Sequence, residues 1–276
     1  KTIIIPDTVV TFKNSSISNT NSLATILFET TTPPTTCGSD PFVNNKEEMK
    51  IIVREDFDNP NICSTQATIM NNAGTKMGDY KAYYIYEEVS KYLFVYGKQG
   101  KIKDYTETEP NTWNSKNAEI QTLKIKDIQE IGSYSFSRLT KIQTITLPET
   151  VTTIKDFAVA GNENVTSITI GSQVNSIGSN PFVNCSLLTD ITFNNNQYFT
   201  FEEKILFTSD KSKIISYLKT REGDSYTITS TSIGKYAFSS NDYLKTITIS
   251  SQTILEDNPF TYCLSLENIL IEGENK

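Results

Sequence analysis

The sequence contains no histidine in its 276 residues. That absence removes Ser–His–Asp and Cys–His triads, His-ligated zinc and imidazole acid–base chemistry. Basic side chains are also in deficit, 25 against 32 acidic, for a net charge of −7. A nucleic-acid binder would need a basic face to displace counterions, so no nucleic-acid partner is expected. No apolar run approaches the roughly 18 residues that cross a bilayer, so no membrane span is expected. Four cysteines (Cys37, Cys63, Cys185, Cys263) are too few and too scattered for a disulfide scaffold, and no CxxC occurs. No cofactor and no metal site are expected. The chain opens at Lys1 without a methionine or a leader pattern and ends in Glu-Gly-Glu-Asn-Lys. It is expected to be a processed or trimmed fragment.

What is present is a globular composition, 37% hydrophobic and 21% charged. Asn14-Ser15-Ser16, Asn164-Val165-Thr166 and Asn184-Cys185-Ser186 fit the N-glycosylation triplet, a pattern common by chance in so Asn/Ser/Thr-rich a chain. The dominant signal is internal repetition. Ile128, Ile131, Phe136, Ile142, Ile145 and Leu147 recur as Val151, Ile154, Val159, Val165, Ile168 and Ile170. They recur again as Val174, Ile177, Phe182, Leu188, Ile191 and Phe193. The offset from Ile128 to Val151 to Val174 is 23 at both steps. Ile233, Phe238, Leu244, Ile247 and Ile249 form a further copy, followed at an offset of 22 by Leu255, Phe260, Leu266, Ile269 and Ile271. One longer, degenerate unit fits between them at about 194–229. Near the N-terminus, Val9, Phe12, Ile17, Leu23, Ile26 and Phe28 keep the same spacing. Cys37-Gly38-Ser39-Asp40-Pro41-Phe42 mirrors Ile177-Gly178-Ser179-Asn180-Pro181-Phe182, with a strand to follow at Ile51 and Val53.

This pattern predicts a solenoid. The segment L-x-x-I-x-[ILF] alternates with period 2, as a half-buried strand does. One such strand per repeat, stacked about 4.8 Å apart, builds a parallel sheet whose inward residues bury only against neighbouring coils. Gly132, Gly178 and Gly234 follow the second inward aliphatic of their units, where an unusual backbone dihedral is expected at a turn.

The units Ile131-Gly132-Ser133-Tyr134-Ser135-Phe136 and Ile233-Gly234-Lys235-Tyr236-Ala237-Phe238, each followed by Leu-x-x-Ile-Thr-Ile, resemble the BspA-like leucine-rich repeats of microbial surface proteins. Thr32-Pro33-Pro34 through Phe42 to Ile51-Ile52-Val53 resembles the unit that closes such an array. Tyr92 through Tyr105, with Pro110 and Trp113, resembles the β-rich cap that precedes one, except that Asn111-Thr112 stand between Pro and Trp. Lys204–Phe207 and Lys213–Tyr217 resemble the hairpin-like irregular unit of the family. The resemblance implies a leucine-rich-repeat solenoid with parallel strands on a concave face and an irregular or short-helical convex side, carrying a β-rich cap or insert. It also implies adhesion to extracellular-matrix components or to other cells.

Four segments are expected: the end of a first array over 1–53, a linker or excursion over 54–80, a β-hairpin cap over 81–118, and the main array over 119–276. Asn59-Pro60-Asn61 and Ala73-Gly74 supply the turn signals of the second segment. Tyr83–Tyr86 and Tyr92–Tyr96 read as aromatic-rich strands flanking a turn.

The outward strand positions form columns. Thr146, Thr169, Thr192 and Thr248 make one, with Leu27 and Leu270 at its ends. Thr144, Ser167, Asp190 and Thr246 make the other, with Thr25 and Asn268. They form a flat polar surface for a protein or glycan, or simply a solvated face of good strand formers. Tyr83, Tyr84, Tyr86 and Trp113 crowd the cap, either as stacking platforms for a partner or as the cap's own core. Glu47-Glu48, Glu87-Glu88 and Glu202-Glu203 are poor acid–base couples, because neighbours on a strand face opposite ways. Cys185 and Cys263 fall three residues after the corner Phe, at packing positions. A Cys37–Cys63 bridge is an open alternative. Gly97-x-x-Gly100 is not followed by a helix or a Lys-Ser/Thr pair, so it is no phosphate loop.

No catalytic constellation emerges. The sequence therefore points to a non-enzymatic recognition or adhesion module, extracellular or at the cell surface, binding an extracellular protein or glycan. A spacer for another domain is the first alternative. A glycan-binding protein or carboxylate-dependent glycan hydrolase, which needs two facing carboxylates beside exposed aromatics, is the second.

Overall fold

Alternating Ile and Thr in each repeat favour the extended backbone, and the structure turns them into short strands. A computed structural model of the chain describes residues 2–20, 22–23, 25–30, 32–38, 41–42, 50–52, 75–76, 82–88 and 90–273. Two compact units emerge: Lys1–Thr75 with Glu87–Tyr92, and Lys76–Tyr86 with Leu93–Lys276.

The first unit contains β1 (Thr2–Ile5), β2 (Thr11–Phe12), β3 (Thr25–Phe28), β4 (Thr36–Cys37) and β5 (Lys50–Ile52). β1, β3 and β5 form one parallel ladder in which Ile3, Ile26 and Ile51 stand side by side. β2 and β4 form a second, matching Phe12 to Cys37. Ile5, Phe12, Leu23, Ile26, Phe28, Phe42 and Ile51 make its core. Leu27 and Thr25, read from the sequence as ends of outward columns, are buried. β3 is covered on both faces, where the period-2 pattern implied one wet face. Val53 and Cys63 lie outside the described residues, as does most of 54–80. Cys37 is disulfide-bonded.

The second unit begins at Lys76, the second residue of β6 (Thr75–Lys76), and holds most of β7 (Ala82–Glu87) and β8 (Tyr92–Lys101). A single 3-10 turn at Asn114–Lys116 is the only helical element among the described residues. Then come β9 (Thr122–Ile131), β10 (Thr144–Thr146), β11 (Thr153–Ile154), β12 (Ser167–Ile170), β13 (Ser176–Ile177) and β14 (Asp190–Phe193). The 23-residue offset is the register itself: Ile145, Ile168 and Ile191 align across β10, β12 and β14. The tail of each repeat makes a second parallel ladder, Ile131–Ile154–Ile177 across β9, β11 and β13, onto which β8, β7 and β6 follow in order. Each coil thus carries two strands, where the sequence showed one. The side expected to be irregular or short-helical is built from turns.

The irregular unit is an antiparallel meander of β15 (Phe199–Glu202), β16 (Ile205–Thr208) and β17 (Lys213–Tyr217). β17 then pairs in parallel with β19 (Ser232–Ile233), and β19 with β21 (Ile254–Leu255). The other ladder of this region joins β18 (Ser225–Thr227), β20 (Thr246–Ser250) and β22 (Asn268–Glu272).

The inward files are nearly dry. Phe136, Val159 and Phe182 are at most 3% exposed, and Ile131, Ile154, Ile168 and Ile233 are at 0%. Burying each such side chain contributes roughly 1.5–3 kcal/mol, which only stacking of coils can realise. In the last coil the equivalent positions Leu255, Ile269 and Ile271 are 45–67% exposed.

The glycines act differently from the expectation. Gly132, Gly178 and Gly234 do not have positive φ. A Cβ on Gly132 would lie 2.3 Å from the Lys103 carbonyl oxygen, and one on Gly178 2.7 Å from the Asp156 backbone nitrogen. Close approach of the neighbouring coil excludes a side chain there. The positive-φ residues come next in the turn, at Tyr134, Phe157 and Asn180, and again at Arg138, Gly161 and Asn184.

Candidate functional site

The outward rows stand on the first ladder. Thr144, Ser167 and Asp190 are direct partners across β10, β12 and β14, and so are Thr146, Thr169 and Thr192. All six are exposed or half-buried, and Thr192 donates to the Asp190 carboxylate at 2.9 Å. Thr246 and Thr248 belong to the other ladder, where their partners are Ser225 with Asn268 and Thr227 with Leu270. The columns are therefore interrupted, because β15–β17 occupies the sequence between β14 and β18. Ser225 and Thr227 extend the polar rows and escaped the sequence reading, since the degenerate unit hides their register.

In the cap, Trp113 is 1% exposed and stacks on Phe136 at 5.6 Å between ring centroids. Its ring has no free face. Tyr84 meets Trp113 edge-on at 5.3 Å, and Tyr83 stacks on Tyr96 at 5.5 Å. Tyr86 donates a long 3.4 Å bond to Glu119 and lies under the Lys116 ammonium. Tyr83, Tyr84 and Tyr86 are half-buried by these contacts.

Of the acidic doublets, Glu202 and Glu203 sit where β15 turns toward β16, and they pair with different cations, Lys211 at 2.6 Å and Arg221 at 3.1 Å. Glu87 is buried and accepts from the Ser90 backbone and hydroxyl, whereas exposed Glu88 pairs with Lys91. Glu47 and Glu48 lie outside the described residues. No group of three or more potential metal ligands occurs among the described residues. No helix there is long and apolar enough to cross a membrane.

Cys185 and Cys263 are free thiols. Each donates to the preceding coil, Cys185 to the Val159 carbonyl and Cys263 to that of Phe238. Asn162, at the same template position, donates to the Phe136 carbonyl at 2.8 Å and accepts from the Leu139 N–H at 2.6 Å. The position is a coil-to-coil tie as well as a packing site. Burial pushes the Cys185 thiol up to about 12, so it stays neutral and unreactive at ordinary pH.

An electrostatic clasp joins the cap to the array. Glu130 on β9 sits 3.0 Å from Lys101 and 2.7 Å from Lys155, which also reaches Asp104 at 2.8 Å. Burial would raise the Glu130 carboxyl, but the two ammonium groups outweigh it and hold it below the usual range. Asp104 is likewise held low against burial by Lys155 and the Ser133 backbone.

The turn side holds a cavity of about 370 Å³. Tyr134, Phe157 and Tyr236 line it as a row of rings, 5.0 Å and 5.3 Å between successive centroids. These residues share one template position, two after Gly132, Lys155 and Gly234. The column is present in the sequence but is hard to see there, because Asn180 stands at the same template position between Phe157 and Tyr236.

A family model described as a BspA type leucine rich repeat region matches residues 107–225 and 222–276, with six copies. No curated protein matches the chain. Among solved structures, the chain is similar to a leucine rich cell surface protein from Faecalibacterium prausnitzii A2-165, with 19% identity and a TM-score of 0.47. That match covers 98% of this chain and 60% of the other, so the chain spans 60% of its length. A leucine-rich repeat protein from Eubacterium ventriosum matches with 19% identity and a TM-score of 0.47, covering 73% of this chain and 72% of that one.

Proposed function

The chain belongs to the BspA-type leucine-rich-repeat family, and from that premise we propose that it is a non-enzymatic recognition module, extracellular or at the cell surface. It engages an extracellular protein or glycan through the outward face of β10, β12 and β14. One observation supports this above others: three consecutive coils present Thr144, Ser167 and Asp190 beside Thr146, Thr169 and Thr192 in strict register. Such a row offers evenly spaced hydroxyl donors and acceptors on a rigid ladder, which suits an extended partner lying across the strands. The face lacks the Trp, Tyr and Arg side chains that dominate tight interfaces, so its affinity is expected to be modest and spread over many contacts.

Binding to immobilised matrix proteins and glycans tests the reading. Saturable binding is expected, weakened roughly tenfold when Thr169→Lys and Thr192→Lys place two ammonium groups on the row, a change equal to about 1.4 kcal/mol. Absence of saturable binding, or binding indifferent to both substitutions, counts against this face.

A further inference from the structure

We infer that the turn side of the second unit carries a binding site for a neutral pyranose sugar, seated in the cavity of about 370 Å³ lined by Tyr134, Phe157 and Tyr236. The outward strand row contributes none of its lining, so this site stands apart from the strand-face reading. Its volume lies at the lower end of the range for small-molecule sites, roughly 300–1,000 Å³.

Three features select the ligand chemistry. The first is the row of rings, beside which Tyr262, 73% exposed, also lines the cavity. Aromatic faces favour flat, weakly polar surfaces such as the C–H face of a pyranose. The second is an unanswered polar group. Ser239 is 7% exposed and lines the cavity, yet its hydroxyl has no hydrogen-bond partner among the described residues. A buried hydroxyl left unpaired costs roughly 1–3 kcal/mol, and a ligand hydroxyl recovers it once the serine side chain rotates its oxygen into the cavity. The third is balanced charge. Arg138 and Glu107 both line the cavity, and among the described residues no ion pair or side-chain hydrogen bond holds the exposed Arg138 guanidinium. An anionic ligand would meet Glu107, and a cationic one Arg138. A purely aliphatic ligand would leave Ser239 unpaired and would desolvate Arg138 without giving it a partner. A neutral polyhydroxylated ring satisfies all three.

The backbone explains why the repeat opens here. Asn180 takes the place of an aromatic in the coil after Phe157, donates to the Tyr236 carbonyl at 2.7 Å and accepts from Ser216 at 2.6 Å. Its short side chain lets the Phe157 and Tyr236 rings meet across that coil.

The test uses the whole chain with methyl glycosides of glucose, galactose, mannose, N-acetylglucosamine and N-acetylgalactosamine as probes, read by saturation-transfer NMR and calorimetry. Saturable binding of at least one is expected, weakened roughly tenfold by Arg138→Ala and by Tyr262→Ala. Both residues are exposed, so circular dichroism should show the fold unchanged. Ser239→Ala should also weaken it, and Thr169→Lys should leave it intact. No saturable binding to any of the five, affinity in both exposed-site variants unchanged from that of the unaltered chain, or loss of binding in Thr169→Lys would each overturn the proposal.

Discussion

Gly132 illustrates how a residue can be placed correctly for an incorrect reason. Its recurrence at Gly178 and Gly234 marks a constrained point in the coil, and the sequence suggests a backbone constraint. The constraint is instead spatial: Gly132 packs against the carbonyls of Ile102 and Lys103, both closer than 2.5 Å to where a Cβ would stand. Gly132→Ala should therefore destabilise the protein by about 1–3 kcal/mol through forced displacement of the cap segment, measured by urea unfolding. Gly161 is the contrasting case, with φ of +70° beside Arg138 and Asn184 in the same conformation one coil either way. Gly161→Asn should change stability by less than about 1 kcal/mol, since Asn tolerates that region. Asn162 is a tie between coils that the sequence does not mark. Its neighbours at the same template position are a leucine and a cysteine, so no single residue type announces the role.

At the scale of the element, the principal strand of each repeat was legible because its alternation is long enough to show period 2. The second ladder was not. Its strands β11, β13, β19 and β21 are two residues each, too short for any periodicity, and only the neighbouring coils define them. The turn after that ladder is tied by carboxylates from adjacent coils: Asp104 accepts the Ser133 N–H, Asp156 that of Ser179 and Glu256 that of Lys235. The Lys101–Glu130–Lys155–Asp104 clasp adds a pH-sensitive joint between cap and array. Because Glu130 and Asp104 titrate below their ordinary values in the fold, their contribution is complete above the unfolded carboxyl range and is lost as pH falls through the folded values. Thermal stability should accordingly drop below about pH 4, and Glu130→Gln should flatten that drop while costing about 1 kcal/mol at pH 7. An unchanged acid profile in the variant would remove the clasp from the account.

On the scale of the whole molecule, a stack of coils has no centre, and each repeat is stable only through its neighbours. Cap and array share one cluster in the second unit, which runs from Trp113 and Phe136 through Ile168 to Leu188. Ile168→Ala, two coils on from the cap tryptophan in chain order, should lower stability by about 2–4 kcal/mol. The emission of Trp113, the sole tryptophan, should shift at the same urea concentration as the far-UV circular dichroism. Two separated transitions would show that cap and array unfold independently. The sequence by itself determined the period, the inward files, the register of 23 and 22, and hence the solenoid, because a repeated apolar pattern can be satisfied only by repeated contacts. Tertiary structure alone decided which polar rows stay continuous, which aromatics are sealed inside the cap, and where the turns open into a cavity. Those outcomes depend on the interruption by β15–β17 and on the distance between neighbouring coils, neither of which any one repeat encodes.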